Sequence, residues 1–149
     1  MPVNMAEKAS TQDALPASST PQNDVIIASC HCGRTELELP SKPTKLNECQ
    51  CSVCYKYGAM WGYYTRGDVT VTTTVGTKLD KYVRDDEGAD GDISFNRCGH
   101  CGCMTHWWGT DPYDGDDHQM GVNCRLLPMS AIEGVERKLG KGPTKESEG

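Results

Sequence analysis

The chain has little apolar material with which to build a core. Of its 149 residues, 36% are hydrophobic, and there is a single Phe. Burial alone gives limited stability to a domain of this size and composition, and small domains of this kind are often reinforced by disulfides or bound metal. Nine cysteines are available for either purpose. We therefore expect one domain in which cysteines supply much of the stability.

Three further absences narrow the class of function. The chain has no Lys/Arg-rich run and a net charge of -6, so we expect no nucleic-acid partner, because binding to phosphate backbones needs basic patches. No apolar stretch is long enough to cross a bilayer, which argues against a membrane role. The first twenty residues lack the basic and apolar regions of a secretory signal, so we expect a cytoplasmic location. In a reducing compartment, clustered cysteines bind metal more often than they form disulfides.

Composition divides the chain into three parts. Residues 1–24 are rich in Ala, Ser, Thr, Pro, Gln and Asn, and a segment with so few large apolar side chains is predicted to be a disordered tail. Residues 133–149 combine Gly, Pro and mixed charge, and are predicted to be a flexible C-terminal tail. The folded domain is therefore expected over residues 25–132.

Short β-rich runs separated by turn residues fill the expected domain. They predict strands at 25–29, 34–39, 45–49, 59–65, 68–75, 78–84, 93–97, 104–108 and 119–124. One helical turn is expected at 52–56. The acidic stretches "RDDEGADGD" and "DPYDGDDH" suit solvated loops, because the first lacks the alternating oxygen ligands of a calcium loop. The fold class is mostly β, with short antiparallel strands.

Two cysteine motifs can complete one closed metal site. "RCGHCG" has the C-x-x-C-G form of a zinc knuckle, in which Cys98 and Cys101 hold one ion and the glycines allow a tight turn. A structural zinc needs four ligands, and the C-x-C pair Cys30 and Cys32 supplies two more, because alternate residues of an extended strand face the same way. We call Cys30, Cys32, Cys98 and Cys101 the four-cysteine group.

The stretch "CQCSVC" holds three more cysteines, Cys49, Cys51 and Cys54, which we call the three-cysteine group. Three protein ligands with one open position is how catalytic zinc is usually held, and such an ion can bind a thiol and lower its pKa. Alternatively, Cys103 or Cys124 closes the site as a fourth ligand, which would make it purely structural. The spacing alone leaves both arrangements open.

The same motifs resemble a known family. "SCHCG", then "CQCSVCYKYGA", then "RCGHCGC" and the closing "GVNCRLLP" are similar to the glutathione-dependent formaldehyde-activating (GFA) family and its centromere protein V relatives. The resemblance spans about residues 26–128. It implies a zinc-binding Mss4-like (β-tent) fold with two Zn²⁺ ions per chain. It further implies that the four-cysteine group holds a structural zinc and the three-cysteine group a catalytic one.

The reaction that the resemblance implies is addition of glutathione to formaldehyde, giving S-(hydroxymethyl)glutathione, with a small-molecule thiol as partner. This sequence departs from the family at two places. Tyr55 and Lys56 stand where the family commonly has Arg-Lys, which removes one bidentate carboxylate binder, and Cys103 stands where many relatives have a small polar residue. The electrophile and the thiol therefore stay open.

Five residues are candidates for contact with a substrate. Tyr55 and Trp61 belong to an aromatic run that follows the three-cysteine group, Lys56 could hold a carboxylate, and one of the adjacent Trp107 and Trp108 must face away from the core. Trp108 is the one assigned to a cleft, and Asn123 is nominated by the match to the closing strand. The competing interpretation is ordinary: aromatic residues on short strands often form the core, and exposed cations are often only solvated.

These observations favour a zinc-dependent carbon–sulfur lyase-type enzyme that acts on a thiol or a glutathione adduct. The substrate is either that of S-(hydroxymethyl)glutathione synthesis or that of a relative in a specialised pathway. The alternative from another class is a non-catalytic, zinc-stabilised binding module. A third interpretation, a redox sensor, predicts reversible thiol oxidation with release of metal.

Overall fold

A computed structural model describes residues 25–84 and 91–140 of the chain. The tail predicted at 1–24 lies outside the described residues. So do 85–90, which form most of the first acidic stretch, and 141–149, the second half of the predicted C-terminal tail.

Ten strands are the main regular elements of the described residues, and each of the nine predicted strands is present. The strands are β1 (Ile26–Ser29), β2 (Thr35–Leu39), β3 (Lys45–Glu48), β4 (Trp61–Thr65), β5 (Thr70–Thr73), β6 (Leu79–Val83), β7 (Ile93–Cys98), β8 (Met104–Gly109), β9 (Gln119–Asn123) and β10 (Glu136–Leu139). Two short helices, α1 (Ser52–Tyr57) and α2 (Met129–Ile132), and the 3₁₀ turns Arg66–Asp68 and Cys124–Leu126 complete the set. Helix α1 is the predicted helical turn.

The strands form two sheets. A three-stranded sheet has the order β1-β2-β5, and a seven-stranded sheet has the order β10-β3-β4-β9-β8-β7-β6. All neighbours are antiparallel except β10 and β3, which run parallel. The predicted fold class, a mostly β domain of the Mss4-like type, is confirmed.

The seven-stranded sheet buries a different cluster on each face. On one face, Leu46, Met120 and Val122 pack with residues of the three-stranded sheet such as Leu37 and Leu39 in the larger core. The opposite face carries a smaller cluster, made by Cys51, Cys54, Ala59, Trp61, Phe95 and Met104. Because side chains alternate along each strand, a single strand serves both clusters. The three-cysteine group therefore lies on the face that the small cluster covers.

Strand β10 lies beyond the domain boundary that we expected at residue 132. Glu136–Leu139 pairs in register with Lys45–Glu48, so sheet pairing continues past the point where the flexible tail was expected to begin. All four β10 residues are exposed, and their sequence, Glu-Arg-Lys-Leu, has no apolar alternation. This edge strand is therefore defined by its backbone hydrogen bonds to β3. The local sequence does not indicate these bonds.

No helix among the described residues is long and apolar enough to cross a membrane.

Candidate metal centre

The four-cysteine group is assembled from two turns that are far apart in sequence. Cys30 and Cys32 lie in the turn between β1 and β2, not on an extended strand as expected, and Cys98 and Cys101 flank the turn between β7 and β8. The four sulfurs all lie within 4.8 Å of one another. The Sγ of Cys32 is 3.6 Å from that of Cys30 and 3.7 Å from that of Cys98. The group thus joins the two sheets at their ends.

These distances fit a tetrahedral zinc site. With Zn–S bonds of about 2.3 Å, sulfurs at the corners of a tetrahedron are about 3.8 Å apart. Backbone N–H groups also point at the sulfurs: Thr35 donates to Cys30 over 3.3 Å and His100 donates to Cys98 over 3.4 Å. Burial opposes ionisation of Cys98, yet hydrogen bonds, led by the Cys101 backbone N–H, lower its pKa to about 7. The turn therefore favours thiolates, the form that binds metal.

The three-cysteine group is organised by the start of helix α1. Cys51 is the N-cap of this helix, and its Sγ accepts a hydrogen bond from the backbone N–H of Cys54 over 3.4 Å. Gly58 ends the helix in the left-handed conformation, with φ of 68°. One turn of helix thus brings Cys49, Cys51 and Cys54 together, with their sulfurs within 4.8 Å of one another.

Hydrogen bonds link the three thiols to one another. Hydrogen bonds from Cys49 and then Cys54 lower the pKa of Cys51, whereas hydrogen bonding to Cys49 and Cys51 raises the pKa of Cys54. The pKa of Cys49 is also raised, chiefly by its hydrogen bond to Cys51. Outside this trio, the indole N–H of Trp61 donates to the Sγ of Cys54 over 3.3 Å. Three neighbouring sulfurs form a donor set suited to a soft divalent cation.

No fourth His, Cys, Asp or Glu joins this trio among residues 25–84 and 91–140. Cys103, proposed above as a closing ligand, lies beside the four-cysteine group instead, where its side chain is hydrogen-bonded to Cys101. Cys124 is fully buried in the larger core, and burial raises its pKa to about 12. Neither of the two proposed closing ligands therefore lies with the three sulfurs in the described geometry.

A cavity of about 340 Å³ adjoins the three sulfurs. Trp61, Phe95, Ile93 and Trp107 supply apolar walls, and Tyr63 stands at one side. The Trp107 and Tyr63 rings meet edge to face, with centroids 6.2 Å apart. The remaining lining residues are Arg84, Gly91 and Asp92. The cavity therefore joins a sulfur cluster to a largely aromatic enclosure with charged groups at one end.

Of the two adjacent tryptophans, the structure places Trp107 at the cavity and not Trp108, the one that the sequence assigned to a cleft. Trp107 lines the cavity, whereas Trp108 packs against the larger core, with the Arg66 guanidinium 3.8 Å from its ring and the His106 ring 4.3 Å away. Alternation correctly indicates that the two residues face opposite ways. Which one faces the cavity depends on pairing, and a bulge in β8 shifts the register between Asn96 and Arg97.

Two more nominated residues lie away from the cavity. Tyr55 and Lys56 are exposed on helix α1, and neither lines the cavity. The helix is only six residues long and turns its cysteine side toward the sheet, so the residues that follow Cys54 point into solvent. Tyr57, one residue further along, is the one that packs inward, against Phe95 at 5.6 Å.

Asn123 has a structural position. Its amide nitrogen donates to the Met104 carbonyl over 2.9 Å, and its Oδ1 accepts from the backbone N–H of Met60 and of Arg125. The side chain is buried and tied to three backbone groups, so it connects β9 to its neighbours and does not line the cavity. Trp61 is the nominated residue that the structure does bring to the cavity and to a sulfur.

Sequence reasoning missed most of the far wall. Phe95 and Ile93 belong to a strand that was predicted but not assigned to the cavity, and Arg84 and Asp92 stand at the two ends of the first acidic stretch, which the sequence indicated as a loop. One signal was present: Gly121 lies opposite both Tyr63 and Trp107 in the ladder. A Cβ there would come within 2.1 Å of the Trp107 indole nitrogen, so the glycine makes room for this ring on the cavity floor.

The described residues thus form a mostly β domain of the Mss4-like type, with one four-sulfur and one three-sulfur group that could each hold a metal ion. Comparison with models of known protein families identifies the family of this domain. The model of the glutathione-dependent formaldehyde-activating enzyme matches residues 25–127, and the chain belongs to this family.

One solved structure supports the same fold. A crystal structure of a Rhodobacter sphaeroides protein from a structural genomics programme matches with a TM-score of 0.57 and 23% identity. The match covers 76% of this chain and 100% of that one. At this identity the likeness shows the fold alone. A search of curated proteins finds no match to this chain.

Proposed function

We propose that the protein is a zinc-dependent carbon–sulfur lyase-type enzyme that acts on a thiol or a glutathione adduct. The observation that carries the proposal is the three-cysteine group, which has three sulfur donors and opens onto a cavity. A structural site would be expected to have four protein ligands, as the four-cysteine group does. The family's name, glutathione-dependent formaldehyde-activating enzyme, supports the same chemistry.

Two Zn²⁺ ions per chain are part of this proposal. Cys30, Cys32, Cys98 and Cys101 would hold the structural ion, and Cys49, Cys51 and Cys54 would hold the other. A zinc ion in the three-cysteine group would supply an acidic centre that lowers the pKa of an incoming thiol and polarises a carbonyl. The hydrogen bond from Trp61 to Cys54 withdraws charge from one sulfur, which preserves that acidity.

The chain's own residues bind and orient the reactants. The apolar walls made by Phe95, Ile93 and Trp107 offer water few partners beside the sulfurs, which would favour a carbonyl electrophile over its hydrate and strengthen electrostatic interactions there. Addition of a thiol forms one carbon–sulfur bond. The π pair of the carbonyl moves to oxygen, and the proton lost by the thiol ends on that oxygen. The reverse reaction breaks the same bond, so one site serves both directions.

Exchange spectroscopy tests this proposal directly. With ¹³C-labelled formaldehyde and glutathione, zinc-loaded wild-type protein should accelerate exchange between the free and thiol-bound carbon above the spontaneous rate. Cys49→Ser should return the rate to the spontaneous value. Cys103→Ser, a cysteine outside the three-cysteine group, should keep the acceleration.

Each alternative has its own result. Equal exchange rates with and without protein, for formaldehyde and for other small aldehydes, would favour the non-catalytic zinc-stabilised binding module. Loss of acceleration in both the Cys49 and Cys103 variants would indicate that Cys103 also belongs to the reacting site. Acceleration that appears only after reduction and reloading with metal would favour the redox sensor.

A further inference from the structure

One face of the seven-stranded sheet continues from the three-cysteine group to the β10 edge. Trp61 and Tyr63 are two residues apart on β4 and share this face. Asn47 on β3 is the ladder partner of Trp61, and Lys138 on β10 is the partner of Asn47. Residues directly opposite in a ladder lie on the same face. Lys138 therefore lies on the sulfur-bearing face, two strands away from Trp61.

A second hollow occupies this end of the face. It has a volume of about 510 Å³ and is lined by Lys45, Leu46, Asn47, Tyr63, Lys138, Leu139 and Gly140. Tyr63 lines both this hollow and the cavity at the sulfurs. The Asn47 amide donates to the Tyr63 hydroxyl, which fixes the ring at the border. The two spaces are neighbours that share one aromatic wall.

The charge of this hollow is positive. Its two charged lining residues are Lys45 and Lys138, both exposed, in a protein whose net charge is -6. Glu136 lies opposite Lys45 in the ladder and offsets part of that charge. The available positive charge is therefore centred on Lys138. Two lysines beside a tyrosine and an asparagine amide form a suitable setting for a carboxylate.

The dimensions match a peptide-like thiol. Strand β10 is two strands from β4, a distance of about 10 Å at the usual strand spacing. An extended chain advances about 3.5 Å per residue, so an arm of two residues together with a lysine side chain spans this distance. A small thiol such as 2-mercaptoethanol is too short to do so.

We propose that the hollow between β3 and β10 binds a carboxylate-ended arm of the thiol substrate, with Lys138 as the main cation and Lys45 assisting. This inference rests on the proposed function and adds a specificity site to it. The thiol enters the sulfur cavity, its chain passes Tyr63, and its carboxylate meets Lys138. Peptide-like thiols that carry such an arm are thereby preferred over small uncharged thiols.

Calorimetric titration of the zinc-loaded full chain with two thiols, glutathione and 2-mercaptoethanol, tests the inference. Lys138→Gln should weaken glutathione binding about tenfold and leave 2-mercaptoethanol binding within about twofold. Lys138→Arg should retain most of the glutathione affinity. Lys81→Gln on β6, an exposed lysine outside both spaces, is the matched control and should change neither. Higher salt should weaken glutathione binding in the wild type more than in Lys138→Gln.

Three outcomes would overturn the inference. If Lys138→Gln weakens both thiols equally, the lysine acts on the fold and not on the carboxylate. If it changes neither, and the Lys45→Gln/Lys138→Gln double variant also binds glutathione normally, the carboxylate lies elsewhere. If neither thiol binds to the wild type, the proposed function itself fails, and this result is distinct from the other two.

Discussion

The two cysteine groups use the same donor atom in different settings. The four-cysteine group is built from two turns that are about seventy residues apart in sequence, and backbone N–H groups point at its sulfurs. The three-cysteine group comes from six consecutive residues, packs on an aromatic cluster and borders a cavity. The first closes a long loop of chain, whereas the second closes almost none.

This difference separates stability from chemistry. A metal that joins residues 30 and 101 constrains most of the domain, so its binding free energy contributes to folding. A metal held within residues 49–54 constrains one helical turn, so it adds little to the fold and is free to serve a ligand. The number of donors agrees with this division, with four in the first group and three in the second.

The largest expected effect is on stability, from a change in the four-cysteine group. Cys98→Ser should remove one metal ion and cost on the order of 5 kcal/mol, because metal binding at such a site is folding free energy. Urea unfolding together with metal analysis measures both effects. Cys103→Ser, at the thiol beside the group, is the control and should keep both ions. A stable Cys98→Ser protein with one ion would contradict the structural role.

The matching change in the three-cysteine group should lower activity and leave the fold intact. Cys49→Ser should lower the metal content from two ions to one and return the rate to the spontaneous value, because loss of a direct ligand should cost more than the roughly 10–100-fold that loss of an outer-shell partner costs. The half-buried position of Cys49 predicts a stability cost of about 1 kcal/mol or less. If this variant unfolded at the same urea concentration as Cys98→Ser, the two cysteine groups would contribute equally to stability.

The cavity floor can be disturbed without touching any cysteine. Gly121→Ala places a Cβ within 2.1 Å of the Trp107 indole nitrogen, so this ring must move from the floor. Overpacking of this kind costs about 1–3 kcal/mol. We expect weaker thiol binding, full metal content and altered tryptophan fluorescence. Combining it with Trp107→Leu should recover part of the stability, and a simple additive loss in the double variant would argue against the contact.

Acid affects both cysteine groups, and a buried histidine adds a separate contribution. Burial lowers the pKa of His106 to about 3, whereas the unfolded chain has a value near 6.5. The unfolded state therefore takes up the proton first as the pH falls. The stability that the neutral ring contributes is complete above about pH 6.5 and is lost as the pH falls toward 3.

His106→Gln removes this titration. Between about pH 7 and pH 5, wild-type protein should lose about 2 kcal/mol more of its free energy of unfolding than the variant does. Urea unfolding of both proteins at each pH, with metal content recorded, separates this slope from acid release of metal. Parallel pH profiles would show that His106 does not titrate as proposed.

Local patterns predicted which sulfurs lie together. Cys98 and Cys101 are related by a turn whose geometry is fixed by neighbouring glycines, and Cys49, Cys51 and Cys54 by one turn of helix, so spacing alone indicated both groups. The four-against-three division follows from counting donors in these motifs. Joining Cys30 and Cys32 to the knuckle also succeeded, although they lie in a turn and not on a strand.

The cavity could not be predicted in the same way, because it depends on pairing between distant strands. The bulge in β8 determines that Trp107 and not Trp108 lines it. The Asn123 side chain is hydrogen-bonded to three backbone groups, and no local sequence pattern identifies these bonds. Strand β10 has four exposed residues and no alternation, so only its pairing with β3 identifies it, and with it Lys138.

Zinc-edge X-ray absorption of the two-zinc protein, before and after addition of glutathione, tests the central difference most directly. One closed and one open group predict about 3.5 sulfur neighbours per zinc without thiol, rising to about 4 when a thiol fills the open corner. Cys103→Ser should show the same increase. Four sulfurs per zinc before any thiol is added, with no change afterwards, would contradict the account.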